Sequence, residues 1–496
     1  MTKTNSKKAL LSSAFALVLS AAMLIGTTFA WFTDTASTGV NKIVSGNLKV
    51  DIIGENSDSH IEKLNFKKTA ATDAEAGAAI LWEPGCRYLT EGFRIANKGN
   101  LALKWKAQVN MNNIINGKVE GSTIAKDGKS LLDVIDFYVV TSTDKNAEAV
   151  AIENFVGNLT AGAKSGVYYI KGVMQTTAGN DYQGLTLDGI TITVVATQDT
   201  VENDSFNNQY DKDAEYPILV TTGDELQAIV SNATAPVNIV LANNITTNNF
   251  AIPADKDVTL DLNGRTVTNA GSHTILNKGH LTLTDSSTDK SGQIISLKGN
   301  TAALRNGDNA VCVVEGGTIS RDGANGNTWH VVENFGKMTF NGGKVVLKNG
   351  NGFAITNGWN YFDPGASTTH AVMEINALEL DTDSSGIKNC RYGDLTVNDA
   401  TVTSTGYWAL SNDYLGTAVI NGGTLTSNSF KAVSNGAAMT VNGGTFDGTE
   451  GLFVQSYATS TVLNGGTFTN MNVDALSSYV GTGHTAQQSG TSVIIK

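Results

Sequence analysis

Apolar and polar residues alternate in short runs along most of this chain, and turns cut the runs at a steady interval. Met439-Thr440-Val441 and Lys431-Ala432-Val433 are representative. A period of two sends neighbouring side chains to opposite faces of a strand, a setting that favours β-branched residues. No repeat run has the length or the period of a helix, so strands are expected there.

The turns repeat too. Asn464-Gly465-Gly466-Thr467, Asn442-Gly443-Gly444-Thr445 and Asn421-Gly422-Gly423-Thr424 recur 22 and 21 residues apart, with degenerate copies at Asn398, Asn376, Asn341 and Glu315. A second series, Asn334, Asn357, Asn389, Asn412 and Asn435, is mostly 23 residues apart and runs in phase with the first; Asn306 and Asn277 extend it upstream. Two markers on one period mean two fixed corners per coil, the signature of a stacked solenoid. Gly supplies the backbone angles of such corners. An Asn returning to the same corner can bond its amide to the Asn above and below, as in other parallel β stacks. The competing reading, unrelated Asn-Gly hairpins in a sandwich, does not explain why the two markers keep phase. The fold class expected is all-β: an N-terminal jelly-roll or β-sandwich domain followed by a right-handed parallel β-helix over residues 217–496.

The β-helix has a recognisable beginning. Thr222 to Val230 reads as a short helix with an acidic first turn, placed to cover the apolar end of the first rung. It precedes the runs Val237–Leu241 and Val258–Gly264. This opening resembles that of bacterial pectate-lyase-like β-helix proteins. Thr491–Lys496 looks like a last strand.

Bulk properties narrow the classes. At 496 residues with 41% hydrophobic content, 52 Gly and 5 Pro, the chain has room for two or three packed domains and is not a disordered one. A net charge of −12 argues against a nucleic-acid partner, because phosphate contacts need a basic face. Cys86, Cys312 and Cys390 are three in number and lack metal-ligand spacing, so buried free thiols are expected and no disulfide framework.

The first 30 residues read as an export signal. Lys3, Lys7 and Lys8 precede an apolar run from Ala9 to Ala30, and Thr28-Phe29-Ala30 offers a small-residue cleavage site before Trp31. The run is also long enough to span a bilayer as an uncleaved anchor. Ala30-Trp31-Phe32-Thr33-Asp34-Thr35, Val44–Val50, Trp82-Glu83-Pro84-Gly85, Phe93–Trp105 and Ile190–Gln198 together resemble the TasA/camelysin family over roughly residues 25 to 205. The resemblance implies export through a dedicated SipW-type signal peptidase, a jelly-roll domain at 31–205, and assembly into biofilm-matrix fibres or surface coats. It also implies a donated strand from Trp31 to about Val50 that completes the sheet of the next molecule; the alternative is a first strand of its own domain. Independently, Phe93, Ile95, Leu101, Leu103, Trp105, Ala107 and Val109 alternate with polar residues around Asn97-Lys98-Gly99-Asn100, as in a hairpin with one buried face; Ile190, Ile192, Val194 and Ala196 make a similar face. An unrelated immunoglobulin-like sandwich would share these patterns. A linker is expected at 206–216.

Chemistry is sparse. None of the six His lies in an H-E-x-x-H pair, so zinc proteolysis lacks its ligands. For a polysaccharide lyase or hydrolase the candidates are Asp381, Asp383, Lys388, Arg391 and Asp394, with Asp308 and Asp322 further up, but they form none of the compact acid or base blocks of such enzymes. Asp381–Gly386 reads as a polar turn rather than a calcium loop. No cofactor, metal site or catalytic residue is expected. The spacings Asn341–Asn376 (35) and Asn357–Asn389 (32) exceed the usual interval. The excess is a loop, Gly358-Trp359-Asn360-Tyr361-Phe362-Asp363-Pro364-Gly365, near Trp329 and Tyr407-Trp408. Trp359, Tyr361, Phe362, Trp329, Tyr407 and Trp408 are the candidate contacts for a glycan or surface partner; the alternative is a loop folded back as a lid. The functional expectation is a secreted, self-associating surface or biofilm-matrix protein of a Gram-positive-type bacterium. Its alternatives are a membrane-anchored monomeric adhesin and a polysaccharide-cleaving enzyme.

Overall fold

The computed structural model describes residues 47–61, 64–67, 80–110, 114–115, 118–119, 123–125, 127–144, 147–152, 155–187, 191–199, 216–326, 328–359 and 369–496. The expected signal and cleavage pair Ala30–Trp31, nearly all of the 206–216 linker, and Tyr361 and Phe362 lie outside them.

The front part is an antiparallel sandwich. Val50–Gly54 pairs with Phe93–Asn97; Leu103–Asn110 runs between Val156–Leu159 and Thr191–Gln198; Arg87–Thr90, Tyr169–Met174 and Ile135–Val140 lie side by side in a further sheet. Phe93, Ile95, Leu103, Trp105 and Ala107 are all fully buried in one cluster, as their alternation predicts. The expected hairpin does not form, however. Phe93–Asn97 and Leu103–Asn110 belong to different sheets, and the polar turn between them is an arch. Asn97 makes this possible: its Nδ2 donates to Leu101 O at 2.7 Å and Leu159 O at 3.2 Å, replacing ladder bonds that a hairpin would have supplied. In Thr191–Gln198, Val194 and Ala196 reach the core as expected but stay half-buried, whereas Thr193, Val195 and Thr197 are the more deeply covered. Two glycines make room for the large rings. A Cβ on Gly157 would sit 2.6 Å from Trp105, and one on Gly172 would sit 2.5 Å from Trp82.

From Ile218 onward the chain coils about ten times into three parallel sheets. Sheet I holds strands such as His280–Thr284, Gly393–Val397 and Ala438–Val441; sheet II holds Thr318–Asp322, Thr401–Ser404 and Thr424–Ser427; sheet III holds Val332–Asn334, Ser385–Asn389 and Val433–Asn435. Each strand pairs in register with its counterpart one coil later, and inward residues stack into files. Leu281, Cys312, Met338, Met373 and Leu395 make one such file, so Cys312 occupies a hydrophobe's place, and burial pushes its thiol up to about 12. Cys390 sits just past the end of its sheet III strand, not within it, and is equally raised by burial.

Both Asn series stand in register. At the corner from sheet III to sheet I, Asn277, Asn306, Asn334, Asn357, Asn389, Asn412 and Asn435 are fully buried, and each Nδ2 donates to the Oδ1 of the next Asn at 2.7–2.9 Å. At the corner from sheet I to sheet II the Asn-Gly-Gly series is exposed or half-buried and runs the other way: Asn464 donates to Asn442, Asn442 to Asn421, Asn421 to Asn398, Asn398 to Asn376, Asn376 to Asn341, and Asn341 to Glu315. The paired glycines of that corner have separate duties. A Cβ on Gly465 would lie 2.2 Å from the Asn442 carbonyl, and Gly466 takes φ +112°.

Both ends of the coil are closed. Helix α1 (Gly223–Asn232) is capped by Thr222, whose hydroxyl accepts from Glu225 N at 3.2 Å, and buries Leu226 and Val230 on the first rung. Its Gln227 amide imitates a strand, accepting from Ala251 N at 3.0 Å and donating to Ala251 O at 3.2 Å. At the other end α2 (Val473–Ser477) buries Leu476. The last strand, Ser492–Ile495, turns antiparallel against Gly466–Phe468 with Ala486–Ser489 outside it.

Candidate functional site

Sheet III is the face on which the chain concentrates rings and charges. The residue before each buried corner Asn points outward, giving the row Arg305, Glu333, Thr356, Lys388, Ser411 and Ser434 in register, which Phe453, ahead of Val454, continues by one coil. Although they face away from the core, Glu333 is 4% exposed, Thr356 5% and Ser434 2%. Side chains from the flanking turns shade the row and make it a trough.

One wall comes from the turns that lead into sheet III. The Trp329 and His330 rings lie tilted against each other with centroids 5.1 Å apart, and Trp329 Nε1 donates to Glu333 Oε1 at 2.9 Å. Three to five coils on, Trp408 packs edge-on to Phe430 at 4.6 Å and stacks with Phe453 at 6.0 Å, while Tyr407 is 57% exposed. The other wall comes from the turns that leave sheet III. Phe335 and Trp359 lie 4.5 Å apart, and Trp359 N bonds to Arg391 O at 2.9 Å. Tyr392, Tyr414 and Tyr457 follow. Cations bridge rings and acids: Arg305 lies over Phe335 at 4.5 Å and pairs with Glu333 at 3.0 Å; Lys388 lies over Phe353 at 5.2 Å and pairs with Asp413 at 3.1 Å; Lys431 lies over Phe453 at 3.6 Å and pairs with Glu450 at 3.0 Å. Each cation–ring contact is worth roughly 0.5–1 kcal/mol at a wet site, so together they stiffen the walls.

Glu333 is the electrostatic hub of the upstream half. Burial holds the His330 and His273 imidazoles below their ordinary range despite this carboxylate, and lowers the Arg321 guanidinium to about 10. Arg321 donates to Lys298 O at 2.9 Å and Ser296 Oγ at 2.7 Å. These groups serve the fold of the turn.

Of the candidates named from sequence, Trp329, Trp359, Tyr407 and Trp408 all border this trough. Trp329, Trp359 and Trp408 are half-buried against neighbours, and Tyr407 alone of these four is widely exposed. Arg305, Glu333, Phe335, Phe353, Tyr392, Tyr414, Phe430, Phe453 and Tyr457 escaped the sequence reading. A signal existed: once the corner Asn is known, its preceding residue must point outward. The acidic and basic candidates for polysaccharide cleavage are dispersed. Asp381 lies on sheet II and pairs with Lys348, Asp383 accepts from Asn349 N and Gly350 N at the next turn, Lys388 is on sheet III, and Asp394 is on sheet I beside His370. Asp322 accepts from Ala324 N and Asn349 Nδ2. Among the described residues no group of three or more His, Cys, Asp or Glu is placed to hold a metal ion. A concavity of about 660 Å³ lies elsewhere, on sheet II around Gly343, Glu379, Asp381, Asp399 and Thr401. It is open, and Lys344 and Lys348 engage two of its carboxylates, so the ring-lined trough is the better candidate.

The departing wall carries backbone strain. Among the described residues nine non-Gly positions have positive φ, and six of them are Asn, the residue that tolerates it. Tyr392 (φ 58°) and Leu415 (φ 61°) occupy the same corner on successive coils, and each conformation costs about 1–2 kcal/mol for a bulky residue.

Among the described residues no helix is long and apolar enough to cross a membrane. Comparison with protein-family models, with curated proteins and with solved structures returns no match.

Proposed function

We propose that this is an exported, non-catalytic surface or matrix protein, with the β-helix as a stiff rod that binds a glycan or a surface partner through the trough on sheet III. The observation that carries the reading is the pair of ring-lined walls flanking one outward row. Flat ring faces with little mobility are what recognition surfaces use, and cation–ring contacts hold these in place before any ligand arrives. The TasA/camelysin-like front domain and the apolar leader support export, with fibre assembly by strand donation as the associated behaviour. A monomeric, anchored adhesin is the second reading. It is favoured by the closed coil ends and by Val50–Gly54 pairing within its own sandwich.

The test is retention of the purified full chain on polysaccharides and on bacterial surfaces, together with electron microscopy and an assay for sugar release. Retention weakened by Tyr407→Ala and Trp408→Ala supports the rod reading. Release of unsaturated or reducing sugar overturns the non-catalytic part. Fibres favour matrix assembly, and isolated rods favour the adhesin.

A further inference from the structure

We propose that Tyr392 and Leu415 are ligand-contact residues, kept bulky at a corner that asks for Asn, and that they meet an uncharged linear sugar chain lying along the coil axis. The proposal rests on the binding role given above to the sheet III trough and names its ligand class.

The corner shows what the backbone alone requires. Three residues after a buried ladder Asn, the chain takes a left-handed conformation at Asn309, Tyr392 and Leu415, with φ 60°, 58° and 61°. Asn309 meets the requirement at little cost, because a short amide tolerates this region. The same turn with Tyr or Leu is strained, and a strained residue persists only where its side chain is needed or its surroundings force it. Packing does not recover the cost at Leu415. That side chain is 38% exposed, beside Tyr414 at 43%. Tyr392 is held from outside: the Arg391 guanidinium lies 4.8 Å from its ring centre and donates to its hydroxyl at 3.1 Å, and the His370 ring lies tilted against it at 5.5 Å. The contacts fix the ring in one pose.

Tyr392 belongs to a file of rings, and Leu415 adjoins its member Tyr414. Phe335, Trp359, Tyr392, Tyr414 and Tyr457 occupy the turns leaving sheet III, on coils spaced about 4.7–4.9 Å apart. One coil in this stretch has no ring at the turn, and there Tyr457 leans back: a Cβ on Gly436 would meet it at 2.8 Å. An extended pyranose chain offers C–H-rich faces at a comparable interval, and aromatic faces stack on them without demanding charge. The electrostatics agree. Along this face Glu333, Asp413 and Glu450 each have a cationic neighbour in Arg305, Lys388 and Lys431, and Arg391 is turned onto Tyr392. A charged sugar would have to break these pairs; a neutral one leaves them intact.

The experiment is affinity electrophoresis of the full chain through gels carrying neutral glycans (β-glucans, mannan, xylan) or anionic ones (polygalacturonate, a sulfated glycan), with Leu415→Asn and Tyr392→Asn as variants. Retardation by a neutral glycan is expected. Leu415→Asn, which gives up no ring or hydroxyl contact, should raise Tm by roughly 2 °C as strain is relieved, and each variant should weaken retardation about tenfold. A higher Tm with unchanged retardation refutes the contact role and leaves the glycan-binding reading standing. A Tm that falls in Leu415→Asn refutes the strain argument, and Leu415→Gly checks that result independently of the Asn amide. Retardation by anionic glycans alone refutes the ligand class. Retardation by none of them removes the glycan reading on which the proposal is built.

Discussion

Replacing Asn389 by Ala tests whether the inner amide file holds the coil together. Asn389 is fully buried; its Nδ2 donates to Asn412 Oδ1 at 2.8 Å, Gly393 O at 2.9 Å and Thr417 O at 3.0 Å, and its Oδ1 accepts from Asn357 Nδ2 at 2.9 Å. The two Nδ2 protons are shared among three acceptors, so with the Oδ1 contact about three bonds' worth vanishes where water has no ready access. At about 1 kcal/mol net per bond the loss is roughly 3 kcal/mol. Asn357 keeps its weaker bonds to Ala371 O and Asp394 O at 3.3 and 3.2 Å, which tempers the figure slightly. Asn421 is the control. It makes the same kind of amide bond on the exposed file, where water can replace what is lost, so Asn421→Ala should cost less than about 1 kcal/mol. Urea unfolding of the full chain gives the two midpoints, and amide exchange maps where protection fails. Because coils couple to their neighbours, faster exchange should centre on the coils of Asn357, Asn389 and Asn412. Equal midpoint shifts for the two variants, or an Asn389→Ala cost under about 1 kcal/mol, would refute the claim that the buried file dominates.

Other outcomes follow from the same geometry. Glu333→Gln strips the charge from the pair with Arg305 while leaving an acceptor for Trp329; the uncompensated cation should lower stability by about 2–4 kcal/mol in thermal unfolding, whereas a shift below about 1 kcal/mol would show the pair to be dispensable. In the native protein iodoacetamide at mildly alkaline pH should modify Cys86 and spare Cys312 and Cys390, whose thiols are buried and raised to about 12; mass spectrometry after unfolding should then find all three reactive. Burial depresses the His330 and His273 imidazoles in the folded state. Below about pH 6.5 the unfolded chain therefore binds protons that the folded one refuses, and stability should fall with acid from that point down through the folded values. His330→Asn should flatten the decline, and an unchanged slope of urea midpoint against pH would count against it.

Much of the β-helix was legible because its determinants are local and repeated. The ladder residues Asn334 to Asn435 announce their corner by spacing, and α1 announces itself through Thr222 and Glu225. The trough was legible only in part. Trp329, Tyr407 and Trp408 stand out as large rings, whereas Glu333 and Arg305 look like ordinary strand charges until register places them side by side. Tyr392 and Leu415 were invisible because strain is a property of φ, and a sequence does not display φ. The arch at Asn97 misled for a related reason: alternation fixes which face a residue takes, but not which sheet receives the strand after the turn.

The sealed coil has a consequence for evolution and for engineering. α1 with its Gln227 amide covers one end of the coil, and the antiparallel Ser492–Ile495 strand packs on the other. Each repeat inserted or deleted between the seals would move the tip by about 4.8 Å, which makes the molecule a ruler graduated in single coils.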